Sequence, residues 1–468
     1  MQENHSASGK NWVLAVASLA SFMVALDTMV LTSALATIRA DFHAPMESLQ
    51  WTVNAYNLSF AVLLLTGAAL GDRFGRRRMF GLGVALFMLA SIGCAVSTSI
   101  HGLIAARAAQ GAAAALTLPL GMALLSAAFP REERARALGI FSSVTGFALI
   151  AGPAMGGALT EAIGWQWIFW INIPIGIIAL MMIWQRLSES FGPAAKLDLL
   201  GLGLIAAAAF ALVWALLRGN GAGWSSAEVL TALVCGALLA AAFIIWEMRA
   251  RAPMVPLRLF RARAFSSGVA ASFLFYAAMY GVLFLLPQLL QSALGNTPLG
   301  AGLRLLPWTA TLFVTAPVAG RLVSKVGERA LVVVGLIMQA IGLSWIALIV
   351  APGMAYSALV TPLIIAGVGV SAAMPAVQNA VLGSVAVVEM GKASGIFNMG
   401  RFLGGVFGVA LLVATFSANS AGSSPKDFAA GFAATMFMAA LLSLCGAVAG
   451  SWLPAHERIL AAPTPKGA

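Results

Sequence analysis

Charge is what this chain has least of. Of 468 residues only 9% are Asp, Glu, Lys or Arg, against about 25% in an average soluble domain, while 61% are hydrophobic. That balance excludes an ordinary soluble enzyme. Acids are scarcer than bases, 16 against 27, for a net charge of +11. A nucleic-acid partner is not expected, because a basic groove needs a folded soluble surface and every long segment here is apolar. Cysteine is rare too. Cys94, Cys235 and Cys445 lie far apart in apolar stretches, which is neither a disulfide framework nor a metal spacing. They read as packing residues. ATP-binding loops of the GxxxxGK[ST] type, HExxH, GxSxG and paired-cysteine motifs are all missing, and the loops are too short to hide a catalytic domain. No enzymatic activity, metal or cofactor is therefore expected, and energy for any work must come from a gradient. A cleaved signal sequence is not expected either. The polar start runs into an apolar stretch too long for one; Ala34-Leu35-Ala36 mimics a cleavage site, but Asp27 precedes it.

What is present is a succession of apolar runs, each long enough to cross a bilayer at roughly 20 residues per span. Fourteen spans are expected, at 12-36, 49-70, 79-98, 101-126, 138-160, 167-186, 199-217, 228-247, 266-291, 300-322, 330-350, 355-381, 392-416 and 428-452. Lys and Arg are retained on the cytoplasmic side of short loops. With the amino end inside, 21 of the 27 basic residues fall in loops on that face and three, Arg39, Arg218 and Lys426, on the other. Arg107, Arg304 and Arg401 fall within spans. Both termini are thus expected inside, in an all-α polytopic membrane protein.

A repeat explains the number fourteen. Leu70-Gly71-Asp72-Arg73-Phe74-Gly75-Arg76-Arg77 follows the second span, and Leu322-Val323-Ser324-Lys325-Val326-Gly327-Glu328-Arg329 follows the tenth, in register 252 residues later. Two six-helix halves related as parallel repeats would place the second copy after the eighth span. Two helices, 199-217 and 228-247, are therefore inserted between them. The expected divisions are a tail at 1-11, a first half at 12-190, the inserted pair and a basic linker at 191-265, a second half at 266-452 and a tail at 453-468.

Asp27 is the most informative side chain, being the only carboxylate far from the end of any span. An ionised Asp near mid-bilayer costs several kcal/mol unless it pairs, meets water or takes a proton. Two readings are open: a structural ion pair, or a proton or cation site facing a cavity. Arg107 cannot shed its proton, so it must find acceptors, with Asp27 or carbonyls of the first span as candidates, or else snorkel to the interface. Arg401 lies deep in its span, as an anion-binding group or a structural pair. Asp72 adds nothing to an arginine topology signal and reads as a clamp, with Arg134 and Arg136 as partners. Gly139, Ala148, Gly152, Pro153, Gly156 and Gly157 put small residues and a proline along the fifth span, for close packing or for a bending gate. Trp51, Asn54 and Asn57 of the second span, Tyr276, Tyr280, Gln288 and Gln291 of the ninth, and Asn398 beside Arg401 read as cavity lining.

Together these residues resemble the major facilitator superfamily, and specifically its fourteen-span drug:proton antiporter family. Leu26-Asp27-Thr28 through Ala34-Leu35 and Ile38 resembles the first-span signature. Leu70 to Arg77 resembles the inner-loop motif, Arg107-Gln110-Gly111 the fourth-span motif, and Gly152-Pro153 with Gly156-Gly157 the antiporter motif. Gly164-Trp165-Gln166-Trp167-Ile168-Phe169, Asn172 and Pro174-Ile175-Gly176 resemble the block entering the sixth span. Met29, Thr32, Ala36, Ala68, Ala148 and Ser324 depart from the usual residues. The resemblance implies a major-facilitator fold of six, two and six helices, with Asp27 as the protonation site and Arg107 influencing its exchange. Gly71, Asp72, Arg73, Gly75, Arg76 and Arg77 would lock an inner gate. The implied function is proton-coupled export of amphipathic organic compounds across the cytoplasmic membrane by a single chain. Lipophilic monovalent cations or neutral compounds are favoured, because no second membrane carboxylate is present. The alternatives are an exporter dedicated to one metabolite or self-made antibiotic and, remotely, a sensor or scaffold that transports nothing.

Overall fold

The structure, a computed structural model, describes residues 7–192, 197–251, 253–386, 389–420 and 424–454. Lys196, Arg458, Lys466 and the Arg134 side chain lie outside the described residues. The first half comprises α1 (Ala7–Asp41), α2 (Met46–Phe74), α3 (Arg76–Ala95), α4 (Ile100–Ala128), α5 (Arg131–Ala162), and a sixth span in two pieces, α6 (Trp167–Trp170) and α7 (Asn172–Arg186). The inserted pair is α8 (Leu199–Ala222) and α9 (Ala227–Arg249). The second half runs through α10 (Arg263–Gln288), α11 (Pro298–Arg304), α12 (Leu306–Thr309), α13 (Thr311–Ile349), α14 (Ser357–Gly383), α15 (Met390–Asn419) and α16 (Pro425–Ser451). Among the described residues there is no strand.

Among the described residues thirteen helical stretches are long and apolar enough to cross a membrane, and each overlaps an expected span. The tenth span, expected as one helix at 300-322, is instead broken into α11, α12 and the first part of α13, with turns at Leu305 and Ala310. Pro307 is the physical reason: it has no N–H to donate four residues back, and its ring crowds that carbonyl. Interrupted backbone is tolerated at membrane depth where protein packs around it, and Ala301, Leu305 and Trp308 are buried.

The repeat has a structural counterpart. Gly75 (φ 105°) separates α2 from α3, and Gly327 (φ 81°), its equivalent in the second copy, bends α13 where the tenth span gives way to the eleventh. Left-handed backbone suits glycine at both turns.

The halves meet chiefly along two seams, α2 against α15 and α5 against α11, with α1 touching α10 and α11 between them. Helix α8 packs on both α2 and α15, so the inserted pair covers the first seam. Burial grades the spans accordingly: 78% of the apolar window containing α10 is buried, but only 17% of that in α9. Leu230, Val234 and Leu238 of α9 are exposed, as suits side chains in contact with lipid.

Candidate functional site

Five helices and one backbone carbonyl enclose Asp27. Arg107 of α4 donates from Nη1 to Asp27 Oδ2 at 2.5 Å. Gln110, one helical turn further, donates to Asp27 Oδ1 at 2.8 Å, and Asn172 of α7 donates to the same oxygen at 2.9 Å. Ser91 of α3 accepts from Gln110 at 2.8 Å and from Asn172 at 3.2 Å. Arg107 also donates to Gln110 Oε1 at 2.6 Å and, through Nε, to the Thr52 carbonyl of α2 at 3.1 Å. Its guanidinium lies 4.3 Å from the Tyr56 ring centroid. Asp27 is 0% exposed and Arg107 1%. Every Asp27 oxygen accepts and none donates, so the geometry is that of a carboxylate. A buried charge with its partners in place is tolerable where an unpaired one is not.

This settles which acceptors Arg107 finds. It reaches Asp27 and a carbonyl, as expected of a buried guanidinium, but the carbonyl belongs to the second span rather than the first, and the side chain does not snorkel. Asp27 is paired, and in this conformation it faces no open cavity. The parts that sequence reasoning missed are Ser91 and the orienting roles of Gln110 and Asn172. Gln110 stands three residues after Arg107, on the same helix face, and Asn172 lies in the sixth-span block. Ser91 carries no such signal.

The second half holds a differently made site. Arg401 of α15 is half-buried, 4.6 Å from the Tyr276 ring centroid and 5.3 Å from that of Phe402. Its Nη2 reaches the Tyr280 hydroxyl at 3.5 Å, whereas its Nε and the Tyr276 hydroxyl are buried without a hydrogen-bond partner. None of the ion pairs among the described residues includes Arg401. Aromatic rings join the two sites across the first seam: Tyr56 stacks at 6.3 Å on Phe60, Phe60 meets Phe402 at 4.2 Å, and Phe402 meets Tyr280 at 6.2 Å.

The other expected lining residues divide. Asn54 and Asn57 are buried with both amide atoms of each unpartnered. Gln288 is buried and donates to the Phe284 carbonyl at 2.9 Å, and half-buried Asn398 donates to the Ser394 carbonyl at 2.9 Å. Gln291 donates across the halves to the Ser33 carbonyl at 2.9 Å. Trp51 does not share a wall with Asn54 and Asn57. Its ring packs 5.5 Å from Phe210 and lines a groove of about 650 Å³ between α2, α4 and α8.

The small residues of α5 pack it closely on both α1 and α11. A Cβ on Gly152 would strike Met29, one on Gly156 the Val30 backbone, and one on Gly157 the backbone of Pro298 and Leu299. Ser33 donates to the Pro153 carbonyl at 2.7 Å, and the Leu299 N–H donates to Glu161 at 3.2 Å. One stretch of α5 is thus keyed both to the helix that carries Asp27 and to the other half. Toward the end that carries the Gly71 to Arg78 loop, a Cβ on Gly139 or Gly146 would meet no neighbouring helix within 4 Å, and Phe147, Phe313 and Val314 are exposed. Across this stretch the rings of Phe147 and Phe313 meet at 6.5 Å, while the tight glycine contacts gather at the end that carries α11.

Asp72 departs from expectation. Its partner is Arg76, with Nε at 2.8 Å and Nη2 at 2.7 Å. Arg136 is exposed and makes no ion pair with Asp72, and Arg134 cannot be placed among the described side chains. A short i,i+4 pair between the end of α2 and the start of α3 satisfies Asp72 before any other loop is needed. The chain after α7 holds this corner: the Arg76 N–H donates to the Ser190 carbonyl at 2.8 Å, the Gly192 N–H to the Asp72 carbonyl at 3.2 Å, and the Arg77 N–H to Glu189 at 2.8 Å. Gly71 packs on Leu120, Arg73 is exposed, and Arg77 lies 5.1 Å from the Trp184 ring centroid.

Comparison with known proteins follows the same lines. The family model described as Major Facilitator Superfamily matches residues 17–409. The chain is 35% identical over 407 residues to the Multidrug resistance protein Stp of Mycobacterium tuberculosis (strain CDC 1551 / Oshkosh), covering 86% of this chain and 75% of that one. It is 34% identical over 409 residues to the Tetracenomycin C resistance and export protein of Streptomyces glaucescens, covering 86% and 76%. A solved bacterial homolog of the human lysosomal transporter Spinster, inward-facing and unoccupied, has a TM-score of 0.68 at 16% identity over 96% of this chain and 98% of its own. At that identity the likeness is one of fold. Thirteen apolar spans, a broken fourteenth segment and the family match together place the chain in the Major Facilitator Superfamily, in its drug-efflux branch, as a multi-pass membrane transporter.

Proposed function

We propose that the protein exports amphipathic organic compounds in exchange for protons across the cytoplasmic membrane, as a single chain with both termini in the cytoplasm and without an enzymatic step, metal or cofactor. The observation that carries this reading is the sealed Asp27–Arg107 pair, held in a helix that α5 grips. Opening the second seam requires α5 to leave α11. Because Gly152, Pro153 and Gly156 key α5 to α1, that movement drags on the segment carrying Asp27. A proton arriving from outside then neutralises Asp27 and frees Arg107 to rearrange; substrate leaves on the same side, and loss of the proton to the cytoplasm restores the pair. Coupling follows because the protonated and paired forms of Asp27 favour opposite arrangements of one seam.

Inside-out vesicles with an imposed pH gradient test it. Asp27→Asn is expected to abolish gradient-driven dye accumulation while the purified protein keeps its helical content. Accumulation at the wild-type rate in that variant would rule out Asp27 as the proton site. A relative named for a single compound favours a second reading, an exporter dedicated to one substrate. Growth protection across a panel of dyes, quaternary amines and antibiotics separates the two: protection against one compound alone selects the dedicated exporter.

A further inference from the structure

The charges set deep in the two halves do not balance: Asp27 is 0% exposed, whereas Arg401 is half-buried with its Nε sealed from solvent. Asp27 is the one carboxylate deep in a span, and both of its oxygens are occupied by Arg107, Gln110 and Asn172. Arg401 is left with two tyrosines and a phenylalanine around it, one Nη2 contact at 3.5 Å, and a buried Nε that bonds to nothing. Glu389, at the start of its own helix, is held by Arg258 at 2.5 Å, and Asp427 is held in the cap of α16 by Ser424. A guanidinium cannot lose its proton to relieve this, and an unpaired charge away from water is costly. The Tyr276 hydroxyl, on a side chain with 0% exposure, is a second donor without an acceptor in the same place.

From this imbalance we propose that Arg401, Tyr276 and Tyr280 form an anion subsite that takes a carboxylate on the exported compound. The inference rests on the exporter reading and names its substrate class: amphipathic organic acids or zwitterions rather than simple lipophilic cations. A cation bound here would meet a like charge. A carboxylate would accept from the free Nε and an Nη of Arg401 in the forked geometry that guanidinium offers, and from the Tyr276 hydroxyl. Division of labour between the halves follows. The first half binds the proton at Asp27, the second binds the substrate's acid at Arg401, and the rings of Tyr56, Phe60, Phe402 and Tyr280 lie between them.

Rhodamine B, which has a free carboxylate, and its ethyl ester, which does not, are a matched pair for the test. In inside-out vesicles the wild-type protein is expected to accumulate rhodamine B in preference to the ester by about tenfold or more, the worth of a charge-assisted hydrogen bond. Arg401→Gln should remove the preference by losing the acid while keeping the ester, Arg401→Lys should keep part of it, and Tyr276→Phe should weaken it by a smaller factor. Equal accumulation of both dyes by wild type overturns the subsite and leaves the exporter reading standing. Equal loss of both dyes in Arg401→Gln, with helical content unchanged from wild type, also overturns it, because the arginine would then serve transport without reading the acid. Accumulation of neither dye under the imposed gradient overturns the exporter reading, and this inference with it.

Discussion

Arg107 and Arg401 are both arginines in mid-span, one in each half, and the structure treats them in opposite ways. Around Arg107 the sequence supplies a carboxylate, two amides, a hydroxyl and a carbonyl, which answer every donor aimed at Asp27 and leave the Asn172 Oδ1 at the edge without a partner. Around Arg401 it supplies aromatic rings and hydroxyls, and leaves donors idle. A satisfied buried network is rigid and specific, whereas a partly satisfied one is normally a fault. In a transporter an unsatisfied donor has another reading, as the place where cargo supplies the missing acceptor. The contrast separates a group that the protein has completed for itself from one that it has left for a ligand.

The sharpest way to break that comparison is to remove each arginine in turn. Arg107→Gln strands the Asp27 carboxylate in a closed site, and loss of one member of a buried pair costs about 3–5 kcal/mol. Arg401→Gln strands no carboxylate and gives up contacts to the Tyr276 and Phe402 rings, so its expected loss is about 1–2 kcal/mol, well below that at Arg107. Reversible unfolding of the purified protein in mixed micelles measures both. Similar losses at the two positions would mean that Arg401 has a partner in the folded protein after all, and the comparison would collapse. Next in size is the coupling within the pair. Asp27→Asn combined with Arg107→Gln should be less damaging than Arg107→Gln alone, with an interaction energy on the order of 3 kcal/mol for groups in direct contact. Additive losses would show that the charges, although 2.5 Å apart, do not stabilise one another.

Much of this was legible in the sequence, for identifiable reasons. Asp27, Arg107 and Arg401 stand out because a bilayer excludes charge, so each charge that remains within a span needs an explanation. The turn at Gly75 and its echo at Gly327 were legible because a repeat preserves the position of a glycine even where the acid beside it has become Ser324. The tenth span was misread because hydropathy counts apolar residues and ignores that Pro307 interrupts the backbone they sit on. Asp72 was assigned distant partners because the i,i+4 arginine, Arg76, looked like part of a topology signal. Trp51, Asn54 and Asn57 read as one side of α2 because they are three residues apart, but that spacing drifts by about 60° per step, and Trp51 at the edge of the stripe packs on Phe210 of α8. Ser91 carries no signal: a serine on an apolar helix declares nothing until two other helices bring Gln110 and Asn172 to its hydroxyl.

Finer substitutions sharpen the same contrast without removing a charge. Gln110→Leu takes one donor from Asp27 and one acceptor from Arg107, and hydrogen bonds to charged groups contribute about 1.5–3 kcal/mol each. A loss in that range, measured by the same unfolding experiment, is expected, and a loss below it would mean that Asn172 and Ser91 close the gap.

The smallest pair of changes asks about single hydroxyls. Ser91 Oγ accepts from both Gln110 and Asn172 and turns each amide toward Asp27. Ser91→Ala leaves those N–H groups with one acceptor fewer, at an expected cost of about 1 kcal/mol. Tyr276→Phe removes a hydroxyl that no group in the protein answers. Deleting an unanswered buried polar atom recovers its desolvation penalty, so the unfolding free energy should stay level or rise by a few tenths of a kcal/mol. A clear loss at Tyr276 would mean that its hydroxyl has a structural partner, and Arg401 would then lose its claim to stand in an unfinished site.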